Sequence, residues 1–453
     1  MRLFISYLRA LKCSGAGLLI RGEGTVPRFS LGDTTDATRS GLLFSDPKSR
    51  TTPERGQARL VDNAAVAPEW MQVIPLLTPM KIIAPLALLL VLSSLTAPAV
   101  QVDPARLALL THGVNLSHWF SQSHRVNGTY PHDWLRTYDG PADFKLLAQA
   151  GFRHVRFPVE MEMFLDEQKP GELNAAYLAD FDSAMDQILG AGLAVIVDWH
   201  AREDTKDRLR TDDHLADAAV SLWGAMARHL AGRDPARVFL EIMNEPAGGM
   251  SQERWIALQD RMLATIRAQA PRHTIIYAGH KWSGLDELLL LKPVADPNVV
   301  YDFHFYEPMV FTHQTAPWPG MGLEPIKGLR YPMESANRQA ALEQVGSGKG
   351  RKYLLEYTAD RAWLAHRLQA AADWAARYGV AITCNEFGVY RPVAPAADRT
   401  AWLRDTRLEL EARQIGWTMW DYAGGFAVTH GEKPGQRALD PDVLQALGVE
   451  PHH

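Results

Sequence analysis

From about residue 108 onward the chain alternates short runs rich in β-branched and aromatic residues with longer stretches whose apolar positions recur every three or four residues. These are the two periods of strands and of amphipathic helices. Eight runs read as strands: LTHGVNL (110–116), RHVRFPV (153–159), LAVIVDWH (193–200), VFLEIMNEP (238–246), HTIIYAGH (273–280), NVVYDFHFYEP (298–308), GVAITCNEFG (379–388) and GWTMWDYAGG (416–425). Segments such as DFKLLAQAG, YLADFDSAMDQILGAG and LADAAVSLWGAMARHLAG lie between them and read as helices. Several end in Gly just before the next strand, where a left-handed residue closes a helix. Regular alternation predicts a parallel α/β fold. Eight units, with no Gly-rich phosphate turn after the first strand, predict a closed (β/α)8 TIM barrel and not an open doubly wound sheet. Two connections are long, 117–140 and 309–358, and both leave the C-terminal end of a strand, the face on which such barrels carry their active sites.

The runs begin apolar and finish with side chains that can do chemistry: Arg156, His200, Asn244 with Glu245, His304 with Tyr306, Glu386, and Trp420. In a parallel barrel all these ends meet in one mouth. Glu245 on the fourth strand and Glu386 on the seventh then face each other. Glycosidic cleavage uses such a pair, because one group protonates the leaving oxygen while the other attacks or deprotonates water, and the gap between them selects the outcome. Asp198 and Glu241 sit earlier on strands with functional ends and read as structural, hydrogen-bonded groups. Glu160, Glu162 and Glu307 are near the mouth without a motif behind them. Each candidate also has a plainer role open to it: Arg156 as a buried ion-pair residue, His200 and His304 as core histidines, Trp420 as packing.

Composition narrows the class. With 47% hydrophobic and 22% charged residues the 453-residue chain is that of a globular protein with a large core. A formal net charge of −5 and the lack of a dense basic stripe argue against nucleic acid as a partner and favour a neutral substrate. Thirteen Trp offer flat apolar faces, useful for sugars or simply for core packing. Two cysteines, Cys13 and Cys384, are too few for a disulfide framework or a cysteine zinc site.

Met80-Lys81, the apolar run Ile82 to Leu95 and Ala97-Pro98-Ala99 have the order of a secretory signal: charged start, apolar centre, small-residue cleavage site. The apolar run falls short of the roughly 20 residues that span a bilayer. The expected organisation is a misassigned or disordered extension over 1–79, a signal peptide over 80–99 cleaved after Ala99, and a catalytic barrel over 100–453. A tail before an uncleaved anchor is the competing arrangement. The first expectation makes the protein secreted or periplasmic, with no membrane segment in the mature form.

The motifs HVRFP (154–158), VDWH (197–200), EIMNEP (241–246), FHFYEP (303–308), NEFG (385–388) and TMWDY (418–422) stand in order at successive strand ends. Over about residues 108–430 the chain resembles glycoside hydrolase family 5, the cellulase-like barrels. The resemblance implies a retaining mechanism with Glu245 as acid/base and Glu386 as nucleophile. It also implies that Asn244 holds the sugar 2-hydroxyl, that Arg156 and Tyr306 support the nucleophile, and that His200, His304 and Trp420 line the sugar site. On residue chemistry, Arg156 beside Glu386 is expected to keep that carboxylate ionised, while burial and the neighbouring negative charge keep the proton on Glu245. Tyr306 has a hydroxyl to give to Glu386, and His304 a ring with which to tune Glu245.

The expected activity is an endo-β-glycanase acting on β-glucan, β-1,4 first, without a cofactor. Exo-glucanase, β-glucosidase and β-mannanase activities use the same constellation, and GVNLSHWFSQ after strand one departs from cellulase patterns. Two readings come from other classes. A metal hydrolase would draw on His200 and His304, but the first strand is followed only by His118 instead of a close histidine pair. A silent carbohydrate-binding barrel is compatible with the fold, but the presence of both carboxylates argues against it.

Overall fold

The structure, a computed structural model, describes residues 102–449 apart from 124, 247–248 and 432–434. The expected extension and signal peptide lie outside the described residues. Among these residues no helix is long and apolar enough to cross a membrane.

Eight parallel strands form a closed barrel in sequence order: β1 (His112–Asn115), β2 (His154–Val159), β3 (Ala194–Trp199), β4 (Val238–Glu241), β5 (Thr274–Ala278), β6 (Val299–Phe305), β7 (Ala381–Phe387) and β8 (Gly416–Met419). Pairing of His112 with Trp417 and of Val114 with Met419 closes the ring. The (β/α)8 expectation therefore holds, and each strand begins within two residues of its expected start. The expected ends run too far in places: β4 stops at Glu241 and β8 at Met419. The residues beyond them leave the ladder to turn their side chains into the mouth.

Helices fill the outside. Asn174, Ser251 and Asp360 cap the helices Ala175–Gly190, Gln252–Gln269 and Arg361–Tyr378, each accepting an amide N–H of the first turn. The main core is the shell between strands and helices, and much of the tryptophan is spent there. Trp119, Trp199, Trp223, Trp255, Trp402 and Trp417 are fully buried. Trp223 and Trp255 donate their indole N–H to the carbonyls of Ile242 and Ala278, so burial leaves no orphan donor. Cys384 is a free, buried residue of β7, as expected of a small core side chain.

Inside the barrel the period of two stacks layers. A lower apolar layer holds Ala194, Ile196, Phe239, Ile276 and Val300. Two residues further along their strands come Asp198, Glu241 and Asp302, all buried. His154 crosses the lower level between the Leu109 carbonyl and the Thr418 hydroxyl, 2.9 and 2.8 Å away. Gly113 faces it on β1, where an added Cβ would stand 2.0 Å from the ring. The long connections are not bare loops: 117–140 carries the helix His132–Thr137, and 309–358 carries Met309–Thr312, Ser335–Val345 and Arg351–Leu355.

Candidate active site

Arg156, fully buried on β2, organises the layer beneath the mouth. Its Nε and Nη2 donate to the two oxygens of Glu241 at 2.9 and 2.6 Å. Nη2 also reaches Asn244 Oδ1 at 2.8 Å, and Nη1 reaches Asn115 Oδ1 at 2.9 Å and Glu386 Oε1 at 2.7 Å. Asp198 lies 3.1 Å from the same guanidinium. The reading of Asp198 and Glu241 as hydrogen-bonded groups fits this geometry, and the fork explains why the position suits Arg and not Lys.

Both candidate carboxylates follow an Asn that stays in this layer. Asn385 donates to Glu241 at 2.7 Å, while Glu386, next in sequence, also faces the lumen. Strict strand alternation forbids that. Register shifts between β6 and β7 and between β7 and β8 supply the extra residue that turns both inward. At the end of β4 the same result is reached differently. Glu245 has a φ of 42°, a strained value for a non-glycine residue, and this lifts its carboxylate above Asn244.

Tyr306 donates its hydroxyl to Glu386 Oε2 at 2.8 Å. Burial first, then the charge of Glu386, push the phenol well above its usual range, so it stays a donor. His304 Nδ1 lies 2.9 Å from Glu245 Oε1 and 3.6 Å from Glu386 Oε2. His200 sits with Nδ1 2.9 Å from Asp198 and Nε2 3.4 Å from the Asn244 amide nitrogen, its ring stacked on Trp420 at 5.6 Å between centroids. Burial above all holds His200 neutral, with a pKa of about 3. All eight expected site residues thus form one connected cluster at the strand ends.

The ionisation pattern departs from the expectation in two respects. Burial alone would raise Glu245, but the hydrogen bond and charge of His304, then Lys206 and His200, outweigh it and bring the carboxyl down to about 2. Glu386 is raised, chiefly by burial, against the pull of His304 and Arg156. The reason is that one guanidinium serves three carboxylates and one imidazole stands between two. His304 is itself raised well above its ordinary value, burial being overcome by Glu386, Asp302 and Glu245. The balance favours the ionised form of Glu245 and the charged form of His304, in place of the expected proton on Glu245.

Sequence reasoning passed over several residues here. Asn115 joins β1 to the layer and also donates to the carbonyls of Asn385 and Met419; a lone amide in an apolar strand was its signal. Asp302 faces the same way as His304, two residues earlier on β6. Lys206 on the helix Glu203–Leu209 is buried with Glu203 as its partner at 2.9 Å and bears on Glu245 through its charge; nothing in the sequence marked it. Glu160, Glu162 and Glu307 are held elsewhere, by Tyr130, Trp199 and Arg367 respectively.

Two groups among the described residues bring three possible metal-ligand atoms within 4.8 Å of one another: Glu241, Asp302 and His304, and Glu245, His304 and Glu386. In both, one carboxylate is already bound to the Arg156 fork, a poor setting for a second cation.

Paired carboxylates across the mouth of a closed β/α barrel define the class of glycoside hydrolases. Residues 113–425 match the cellulase (glycosyl hydrolase family 5) profile, well over half of the chain, and the chain belongs to this family. It is 25% identical over 361 residues to Endoglucanase 3 of Fibrobacter succinogenes, a match covering 75% of this chain and 53% of that protein, so the chain spans about half of this relative. To Endoglucanase C of Acetivibrio thermocellus it is 26% identical over 320 residues, 68% of this chain and 90% of the relative. Thermotoga maritima Cel5A, solved with cellobiose, shares the fold with a TM-score of 0.60 at 24% identity, covering 76% of this chain and 100% of that one.

Proposed function

We propose that the protein is a retaining endo-β-glucanase that hydrolyses β-1,4-linked glucan, with Glu386 as nucleophile and Glu245 as acid/base. The observation that carries the reading is the closeness of the two carboxylates. An oxygen of Glu245, an oxygen of Glu386 and a ring nitrogen of His304 lie within 4.8 Å of one another. Retaining enzymes hold their carboxyls roughly 5–5.5 Å apart, and inverting ones need about 6.5–9.5 Å to admit a water.

In this mechanism Glu386, gripped by Arg156 and Tyr306, attacks the anomeric carbon while Glu245 protonates the departing oxygen. Water then attacks the glycosyl-enzyme and gives its proton to Glu245. The proton in the Glu245–His304 hydrogen bond is the one delivered. Glu245 takes it from Nδ1 as the leaving oxygen gains charge. Arg156 binds Asn244 through Oδ1, which turns the amide N–H groups toward the 2-hydroxyl of the sugar. His200, neutral and tied to Asp198 through Nδ1, meets the Asn244 amide through Nε2 and so helps to orient it, and Trp420 supplies the flat face beside it. Trp318 in the 309–358 connection, 56% exposed and edge-on to Tyr390 at 4.9 Å, offers a platform for a longer chain. The endoglucanase relatives support the choice of substrate, and the 80–99 segment supports export to meet a polysaccharide.

The test is hydrolysis of defined β-glucans and β-mannans with product anomers followed by NMR. The β-anomer must appear first; initial α-product, or a Glu386→Ala variant with full turnover, ends the reading. A preference for mannan or for chain-end release revises the substrate and leaves the chemistry intact.

A further inference from the structure

Below the catalytic pair, two buried polar atoms face each other with no hydrogen-bond partner: Asp302 Oδ2 and His304 Nε2. They are 3.4 Å apart, on side chains 0% and 2% exposed. The other oxygen of Asp302 accepts the backbone N–H of Asn385 at 3.0 Å, which fixes the carboxylate against β7. On its far side the same ring meets Glu245. We infer that Asp302, His304 and Glu245 form a proton relay in which Asp302 is the positioning residue: it anchors the Nε2 proton so that the mobile proton is always the one between Nδ1 and Glu245.

The chemistry follows from the two ring nitrogens being distinct. With Nε2–H held by Asp302, a ring that gives up its Nδ1 proton leaves a lone pair toward Glu245. It can then accept from the protonated carboxyl or take the proton back after water has been deprotonated. Each cycle moves one proton from Nδ1 to Glu245 to the leaving oxygen, and one from water to Glu245 to Nδ1, so the site ends as it began. With Nε2 unanchored, the neutral ring can carry its single proton on Nδ1, where it donates to Glu245 and holds that carboxyl ionised. Such a site retains a base and loses its acid. The groups facing the ring from neighbouring elements agree in sign. Glu386 comes from β7, Glu241 and Glu245 from β4 and the turn after it, and Asp198 from β3; these four carboxylates favour a proton on the ring, and the Arg156 guanidinium from β2, bound to Glu386, Glu241 and Asp198, opposes it in part.

The proposal rests on the assignment of Glu245 as acid/base for its kinetic arm, but its spectroscopic arm does not. In the full chain labelled with nitrogen-15 histidine, His304 is identified by the signal lost in His304→Gln. As pH rises, its Nδ1 is expected to lose its proton while Nε2 keeps one; a neutral wild-type ring protonated at Nδ1 overturns the relay. In Asp302→Asn the neutral ring is expected to switch to the Nδ1–H form. The same variant is expected to lose kcat/KM by about 100-fold on a cello-oligosaccharide, in the range of lost general acid catalysis. On an aryl cellobioside with an acidic phenol, which leaves unaided, the loss is expected to stay within about threefold. Its alkaline limb moves to lower pH, because the charge that raised the ring's proton affinity is gone, and Asp302→Glu restores part of each effect. Equal losses on both substrates show a merely structural role. If Asp302→Asn does not fold, the wild-type titration alone decides.

Discussion

Replacing Arg156 by Met removes the guanidinium that three buried carboxylates share and leaves its shape roughly filled. The guanidinium donates to Glu241 twice, and to Glu386, Asn115 and Asn244, with Asp198 alongside. Breaking a buried ion pair from one side costs about 3–5 kcal/mol, since a charge is left unpaired. Here the carboxylates have an escape, which is to stay protonated, and that makes the cost depend on pH. Even with Arg156 present, burial raises Asp198 to about 6 and Glu241 to about 7. A carboxyl with a raised folded pKa holds a proton that the unfolded chain releases above about pH 4, so its contribution to stability falls as pH rises. Without the guanidinium both groups stay protonated beyond their present values, at about 1.4 kcal/mol per pH unit each. The deficit of the variant is therefore small near pH 5 and grows to about 4 kcal/mol by pH 8. Urea midpoints of both proteins at the two pH values, compared at a common slope, measure it. A deficit that is equal at pH 5 and pH 8, or below about 1 kcal/mol at pH 8, refutes the shared-cation account.

Tyr306→Phe removes the hydroxyl donor 2.8 Å from Glu386 Oε2; a hydrogen bond to a charged group is worth about 1.5–3 kcal/mol, so kcat/KM on β-glucan is expected to fall by about 10- to 100-fold with the fold intact. Gly388→Ala places a methyl 2.4 Å from the Trp420 carbonyl and 3.1 Å from the Phe426 ring; Trp420 must shift, and KM for oligosaccharides is expected to rise at least about tenfold while thermal stability drops by about 1–3 kcal/mol. His154, fully buried, is held by burial at a pKa of about 3. The unfolded chain therefore binds a proton first as pH falls below about 6.5, and stability is lost by up to about 1.4 kcal/mol per pH unit between there and pH 3. In His154→Gln that slope is expected to flatten in acid denaturation curves, and an unchanged slope contradicts the assignment.

The barrel was legible because its cause is local. Near-continuous apolar runs of four to seven residues between amphipathic helices leave few other ways to bury both faces of a parallel sheet. The strand-end motifs were legible for a related reason: once the strands are parallel, each C-terminal end must open on the same mouth. Strand ends were overrun at Glu245 and after Met419, because the motif residues continue past the ladder as irregular backbone that a periodic reading takes for strand.

By itself, then, the sequence determined the closed barrel and the eight side chains gathered at one end of it, consequences of where they fall along the strands. Only the tertiary structure decided how those groups share charge and protons. Arg156 divides itself among carboxylates from three strands, a register shift and a left-handed Glu245 set the height of each candidate catalyst, and His304 of β6 meets Glu245 beyond β4. Such partnerships arise where strands distant in sequence meet at low dielectric, and there the strength of an interaction depends on distance and burial, which no linear pattern encodes.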